Sequence, residues 1–411
     1  MYGGMKGNRK IAILVLVLLV TTILAVSTTS IMTIFAPKLN DTSVPVLPAK
    51  LVWEKTYGGS ADDRTFYAMA APDGYLVVGS TRSIVPNTIV GWCLKLNSDG
   101  DAVWNRTFLE ASGTELRYAI SLTDGFLLVG NEFSPSGDVN GYVARIDNEG
   151  ALIWSKVIGE EKTNKLFSAI PTTDGFVLLG STSSEGNRNS AWFVRISENG
   201  DIMWNRSFEN STDSAARKGV LSPDGDFIVA GYTSSQNGSN YDFLLTKIGA
   251  DGNMIWNKTY GDQENQKAYS ITRSPDGYVM VGDTESAQTN IDAWVVKVDF
   301  SGNILWAKTV GGKNADSPSF IVPSDDGGYL VAGFTFSFGA GNRDFWLFKI
   351  DDSGRVLWSC TQGDEGYQEA YSVIQTSGNQ YVMVGWTDPK GQPGLIGKAQ
   401  YDIYVIKIQY P

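Results

Sequence analysis

The side chains that most often carry enzyme chemistry are scarce in this chain of 411 residues. It has no histidine and two cysteines, Cys93 and Cys360. That removes Ser-His and Cys-His nucleophile pairs, imidazole acid–base catalysis and His-assisted zinc sites. Two cysteines build neither a disulfide framework nor a four-thiolate zinc site. Carboxylates are what remain in quantity. Asp plus Glu number 44 against 33 Lys plus Arg, a net charge of −11. Such groups can bind cations, meet a basic or sugar partner or, in pairs, hydrolyse glycosides. The same sign argues against a nucleic-acid binder, which needs cations to displace phosphate counterions.

The elements that must position these carboxylates repeat. Trp recurs at 53, 104, 154, 204, 256, 306 and 358, at intervals of 50 to 52 residues. Each closes a phrase such as Asp99-Gly100-Asp101-Ala102-Val103-Trp104, and a Lys/Arg-Thr/Ser-aromatic echo follows, as in Lys55-Thr56-Tyr57. A second phrase recurs mid-repeat, as in Asp73-Gly74-Tyr75-Leu76-Val77-Val78-Gly79. Asp-Gly between two apolar runs marks a hairpin; it recurs mid-repeat, and Asp-Gly or a variant such as Glu149-Gly150 or Ser301-Gly302 stands four residues before the later Trp. Four short antiparallel strands per repeat, A to D from the centre outward, predict a propeller blade. The fold expected is therefore all-β: a seven-bladed β-propeller over residues 51–411. The last repeat ends after its C strand at Gln409. The missing D strand is Leu51–Tyr57 at the other end, which predicts a ring closed by the N-terminal strand.

The phrase Trp53-Glu54-Lys55-Thr56-Tyr57-Gly58-Gly59-Ser60-Ala61-Asp62-Asp63, with Asp73–Thr81 after it, resembles the extracellular β-propeller repeats of bacterial and archaeal surface proteins. The resemblance covers about 360 residues of the chain. It implies a propeller exposed at the cell surface and supplies no catalytic residues. Gly-x-hydrophobic-x-Trp is more weakly similar to quinoprotein-type propeller repeats.

In such a ring the A–B and C–D turns are short, and the longer D–A and B–C connections share one face. Variable loops on a rigid scaffold are where ligand contacts concentrate. Ligand-face candidates there are Asp62, Asp63, Asp262, Asp316, Asp344, Asp364 and Asp402, an acidic rim facing a cation, a basic partner or a sugar. No cofactor is implied; Ca²⁺ is the one metal such a rim could take, although no Asp-x-Asp-x-Asp-Gly loop is present. One basic residue per blade lies in strand C: Lys95, Arg145, Arg195, Lys247, Lys297, Lys349 and Lys407. These could ring an anion in the channel; being third from the axis, they are expected instead to pair with turn carboxylates. The D-strand Trp are expected as wedges between blades. Cys93 and Cys360 fall in blades one and six, too far apart to bond.

Residues 1–10 carry Lys6, Arg9 and Lys10 and no acid, and an apolar run follows from Ile11 to Phe35. The run reads as a transmembrane signal-anchor, or alternatively a cleaved signal peptide. The positive-inside rule puts residues 1–10 in the cytoplasm and the propeller outside. Residues 36–50, with Pro45 and Pro48, read as a linker. Asn-x-Ser/Thr glycosylation candidates stand at Asn40, Asn105, Asn205, Asn210, Asn237 and Asn257. The sequence thus points to a membrane-anchored extracellular propeller that binds a protein or polysaccharide partner at its loop face. The alternative is an extracytoplasmic carbohydrate-active hydrolase or lyase working through loop carboxylates.

Overall fold

A computed structural model describes residues 46–159, 163–183, 188–208, 213–234, 240–286, 290–388 and 401–410. The basic segment, the apolar run and most of the connection between Thr387 and Gln400 lie outside the described residues. Those described form twenty-eight strands and contain no helix. The strands make seven antiparallel sheets of four, one per repeat. Blade one is β2 (Asp63–Ala71), β3 (Gly74–Thr81), β4 (Val90–Asn97) and β5 (Ala102–Phe108), ordered from inside to outside. The inner strands of the next five blades are β6 (Thr114–Leu122), β10 (Asn164–Thr172), β14 (Ser214–Leu221), β18 (Gln266–Ser274) and β22 (Asp316–Pro323). Blade seven is β26 (Tyr367–Gln375), β27 (Gln380–Asp388), β28 (Asp402–Gln409) and, from the other end of the chain, β1 (Lys50–Tyr57).

Closure of the ring by β1 is as expected. Lys50 pairs with Gln409 and Tyr57 with Ile403 along the outer edge of β28. Inside, the Ser372 hydroxyl donates to the Ala68 carbonyl at 2.8 Å, joining the innermost strands of blades seven and one. The segment before β1 also takes part. Val46 bridges in parallel to Ser359, the Leu47 amide donates to the Ser359 carbonyl at 3.0 Å, and Ala49 is buried among residues of blades six and seven.

The core consists of seven apolar layers, each shared by two neighbouring blades. The middle strands supply most of it; Leu76, Val77 and Val78 of β3 are fully buried. Burying such a side chain contributes roughly 1.5–3 kcal/mol. The D-strand Trp are the wedges the repeat predicts. The Trp53 ring lies on Gly100, in the C–D turn of the next blade. Gly100 has φ +82°, and a Cβ there would come within 2.7 Å of the indole. Trp104 and Trp306 add an indole hydrogen bond to the following turn, onto the carbonyls of Asn148 (3.1 Å) and Asp352 (3.0 Å). Trp358 has no such turn to meet, because blade seven is closed by β1, and it stacks on Tyr410 at 4.1 Å instead.

Five of the seven strand-C cations pair with turn aspartates, chiefly those of their own A–B turn. Arg145 meets Asp124, Arg195 meets Asp174 (2.7 Å), and Lys247 meets Asp224 and Asp226. Lys297 meets Asp276 (2.8 Å) and Asp352 (2.7 Å), and Lys349 meets Asp326. Lys95 donates to the Pro72 carbonyl. Cys93 and Cys360 are buried free thiols.

One feature of the inner strands decides what lines the channel. Pairing with the second strand slips by one residue at the same repeat position in every blade: after Thr65, Leu116, Leu166, Ala216, Ala268, Pro318 and Ala370. The skipped residues are Phe66, Arg117, Phe167, Arg217, Tyr269, Ser319 and Tyr371. Such a bulge leaves one residue unpaired and re-aims its side chain. Its sequence cause is the glycine that ends each mid-repeat phrase. Gly79 sits opposite Thr65, and a Cβ there would fall 1.9 Å from the Arg64 carbonyl oxygen. Gly130, Gly180, Gly231, Gly282, Gly333 and Gly385 face the same carbonyl in their own blades, at 1.9–2.0 Å.

Candidate functional site

The seven bulged residues converge on the axis and line a cavity of about 280 Å³. Its wall also includes Asp283, Ser317, Phe334 and Glu369. Ser317 and Glu369 open their A strands, while Asp283 and Phe334 stand near the ends of B strands, so the cavity occupies the loop-face end of the channel. Its floor is aromatic. Tyr67 of blade one packs on Tyr118 of blade two, with ring centroids 4.2 Å apart, and on Phe320 of blade six at 5.6 Å. Blades one and six flank blade seven, so the last contact passes inside blade seven and narrows the channel. Lys218 of blade four reaches the same contact, its Nζ 3.5 Å from the Phe320 ring centroid.

Charge within the cavity is divided. Arg117 lies 3.9 Å over Phe66 and is tied to Glu115 at 2.5 Å. Arg217 lies 4.3 Å over Phe167 and 5.8 Å from Tyr269. Among the described residues, Arg217 and Lys218 touch rings but no carboxylate. Burial draws the Arg217 pKa below its ordinary value, with Arg117 acting the same way, and brings that of Lys218 down to about 7. The two cavity acids are shifted the other way. Burial raises Asp283 to about 6, against hydrogen bonds donated by the Ser317 and Tyr269 hydroxyls, the latter at 2.7 Å. Burial also raises Glu369, against the opposing pull of Arg343, which holds it at 2.6 Å. Arg343 comes from the B–C loop of blade six and rests on Phe334 at 4.3 Å.

The ligand-face candidates read from the sequence do not gather there. Asp63, Asp316 and Asp344 are 0% exposed. They hold loop backbone in place: Asp63 accepts from the Gly59 amide (2.7 Å), Asp316 from Gly312 (2.6 Å) and Asp344 from Gly341 (3.2 Å). Asp262 and Asp364 are exposed, and each accepts from a glutamine, Gln266 at 2.7 Å and Gln368 at 2.6 Å. Asp62 stands 3.7 Å from Arg64, and Asp402 is half-buried beside Gly58. Among the described residues, no three His, Cys, Asp or Glu side chains converge as around a metal ion. Asn105 and Asn205 are exposed on outer strands and Asn257 is partly so; Asn40, Asn210 and Asn237 lie outside the described residues.

Sequence reasoning missed the channel residues, and a signal for them was present. Leu116-Arg117-Tyr118 puts a charge beside an aromatic, and Ala216-Arg217-Lys218 puts two charges side by side, within inner strands. Two adjacent residues facing one way require a bulge, and the recurrent glycine opposite supplies the room.

No protein-family model and no curated protein matches this chain by sequence. Solved structures do match its shape. The WD40 domain of Pan2 from Neurospora crassa superposes with a TM-score of 0.51 at 12% identity, over 89% of this chain and 90% of that one. A structure of BBS1N in complex with ARL6DN gives 0.50 at 8% identity, over 89% of this chain and 98% of that one. At such identities the likeness is one of fold alone. The chain is a seven-bladed β-propeller whose four-stranded blades close on an N-terminal strand.

Proposed function

We propose that this protein is a membrane-anchored extracellular propeller, of the surface-repeat kind its phrases resemble, that binds a protein or polysaccharide partner at its loop face. The observation that carries the reading is the cavity at that face, open above and floored by Tyr67, Tyr118 and Phe320. A recess walled by rings and a few charged groups, on a rigid ring of blades, is suited to recognition. Lys6, Arg9 and Lys10 before the apolar run support export of the propeller.

The hydrolase or lyase alternative would have to work through Asp283 and Glu369, the acids that line the cavity. In the structure Asp283 accepts from two hydroxyls and Glu369 is held by Arg343. The test has two parts. Protease added to intact cells should degrade the propeller; full protection overturns the extracellular placement. The full chain in detergent, applied to glycan and secreted-protein arrays, should bind a defined subset. Turnover of a glycan in place of retention would favour the hydrolase.

A further inference from the structure

Arg217 and Lys218 are consecutive cations, both facing the channel because the bulge in β14 turns two neighbours the same way. Arg117, from the equivalent bulge of blade two, meets Glu115, and five of the strand-C cations meet turn aspartates. Arg217 and Lys218 meet only rings. Both are half-buried, and a cation partly withdrawn from water is costly without a counter-charge. Cation–π contact returns only part of that cost. What the pair lacks is an anion, and the space for one is the cavity they line.

We propose that the loop-face end of the channel binds a small carboxylate carried on a compact body with an apolar face. The carboxylate is seated by Arg217 and Lys218, and the body packs against Phe167 and Tyr269. Size limits the ligand, since about 280 Å³ lies at the small end of ligand pockets. Charge limits it as well. Asp283 and Glu369 in the same cavity repel a second anionic group, so a monoanion fits and a polyanion does not. The wall of rings suits either an aromatic acid or the apolar face of a sugar acid, two sources of the same chemistry.

The inference rests on the loop face being a binding face, but its test is separate. Purified full chain in detergent is titrated calorimetrically at pH 6 with phenylacetate, glucuronate, their neutral counterparts phenylethanol and glucose, and sulfate. Saturable one-to-one binding of at least one carboxylate is expected, with its neutral counterpart and sulfate weaker by about tenfold or more. Phenylacetate alone binding identifies an aromatic acid; glucuronate alone identifies a sugar acid. Arg217→Gln and Lys218→Met should each lower affinity by about tenfold while unfolding cooperatively. Asp224→Asn, on the opposite face, should bind as the parent does. Should Arg217→Gln fail to fold, Lys218→Met decides the matter. Absence of binding by both carboxylates, equal binding of neutral counterparts or sulfate, or unchanged affinity in a folded Lys218→Met overturns the proposal. If the arrays remain positive in that case, the loop-face reading stands and only the carboxylate site falls.

Discussion

A Cβ on Gly231 would stand 1.9 Å from the backbone carbonyl oxygen of Ala215, two residues before Arg217. That closeness is what the bulge in β14 requires, and the bulge is what sends Arg217 into the channel. The obstructing atom is backbone, so no rotamer change relieves it. Gly231→Ala is expected to destabilise the protein by about 1–3 kcal/mol, as overpacking does. If it folds by restoring regular pairing, Arg217 should leave the cavity. Equilibrium unfolding measures the first effect and carboxylate titration the second. A variant as stable as the parent would show that the glycine is not needed for the bulge.

Ring closure makes a separate prediction. Deleting residues 1–58 removes the outer partner of β28 and takes Trp53 off Gly100. Blade seven should lose its edge, and unfolding should become broad or multi-step. Calorimetry that shows one sharp transition at the parent temperature would contradict the closure.

Lys218 should cost stability, and the cost should depend on pH. Its folded pKa, about 7, lies below the ordinary lysine value. Between those two values the unfolded chain binds more protons than the folded one, so stability rises with pH there. Below about pH 7 the penalty is at its full size. Lys218→Met should therefore raise the melting temperature, and by more at pH 6 than at pH 9. An equal gain at both would mean that the ammonium is not desolvated.

Ligand affinity should run with the same protonation. From pH 8.5 to pH 6 Lys218 gains its charge, while Asp283, raised to about 6, begins to lose its own, and Glu369 is shifted in the same direction. Tyr67, Tyr118, Tyr269 and Tyr371 are all raised above the ordinary phenol value and stay neutral. The arginines stay charged across this range. Every change in the cavity favours an anion as pH falls. Carboxylate affinity should rise about tenfold over this interval, and in Lys218→Met by much less. Affinity independent of pH would exclude Lys218 from the site.

The blades were legible because the repeat writes them out. The Trp phrase gives the outer strand, Asp-Gly gives the hairpins, and the orphan strand at Leu51–Tyr57 gives the closure. The fate of the strand-C cations was also readable, since a turn aspartate lies within reach of the third strand. The cavity was not. Acid counts point to loops, yet Asp63, Asp316 and Asp344 turn inward to hold backbone amides. Loop polarity in sequence cannot distinguish a cap from a contact. The inner-strand bulges break the alternation from which facing is inferred, and plain alternation puts Arg217 and Lys218 on opposite sides of a strand.

The most direct test of the channel site is a crystal of the protein grown at pH 6 with saturating 4-bromophenylacetate. The bromine marks the ligand unambiguously by anomalous scattering. The account predicts a bromine peak inside the ring above Tyr67 and Phe320, with the carboxylate turned to Arg217 and Lys218. Bromine bound only elsewhere, with the cavity holding water alone, would contradict it.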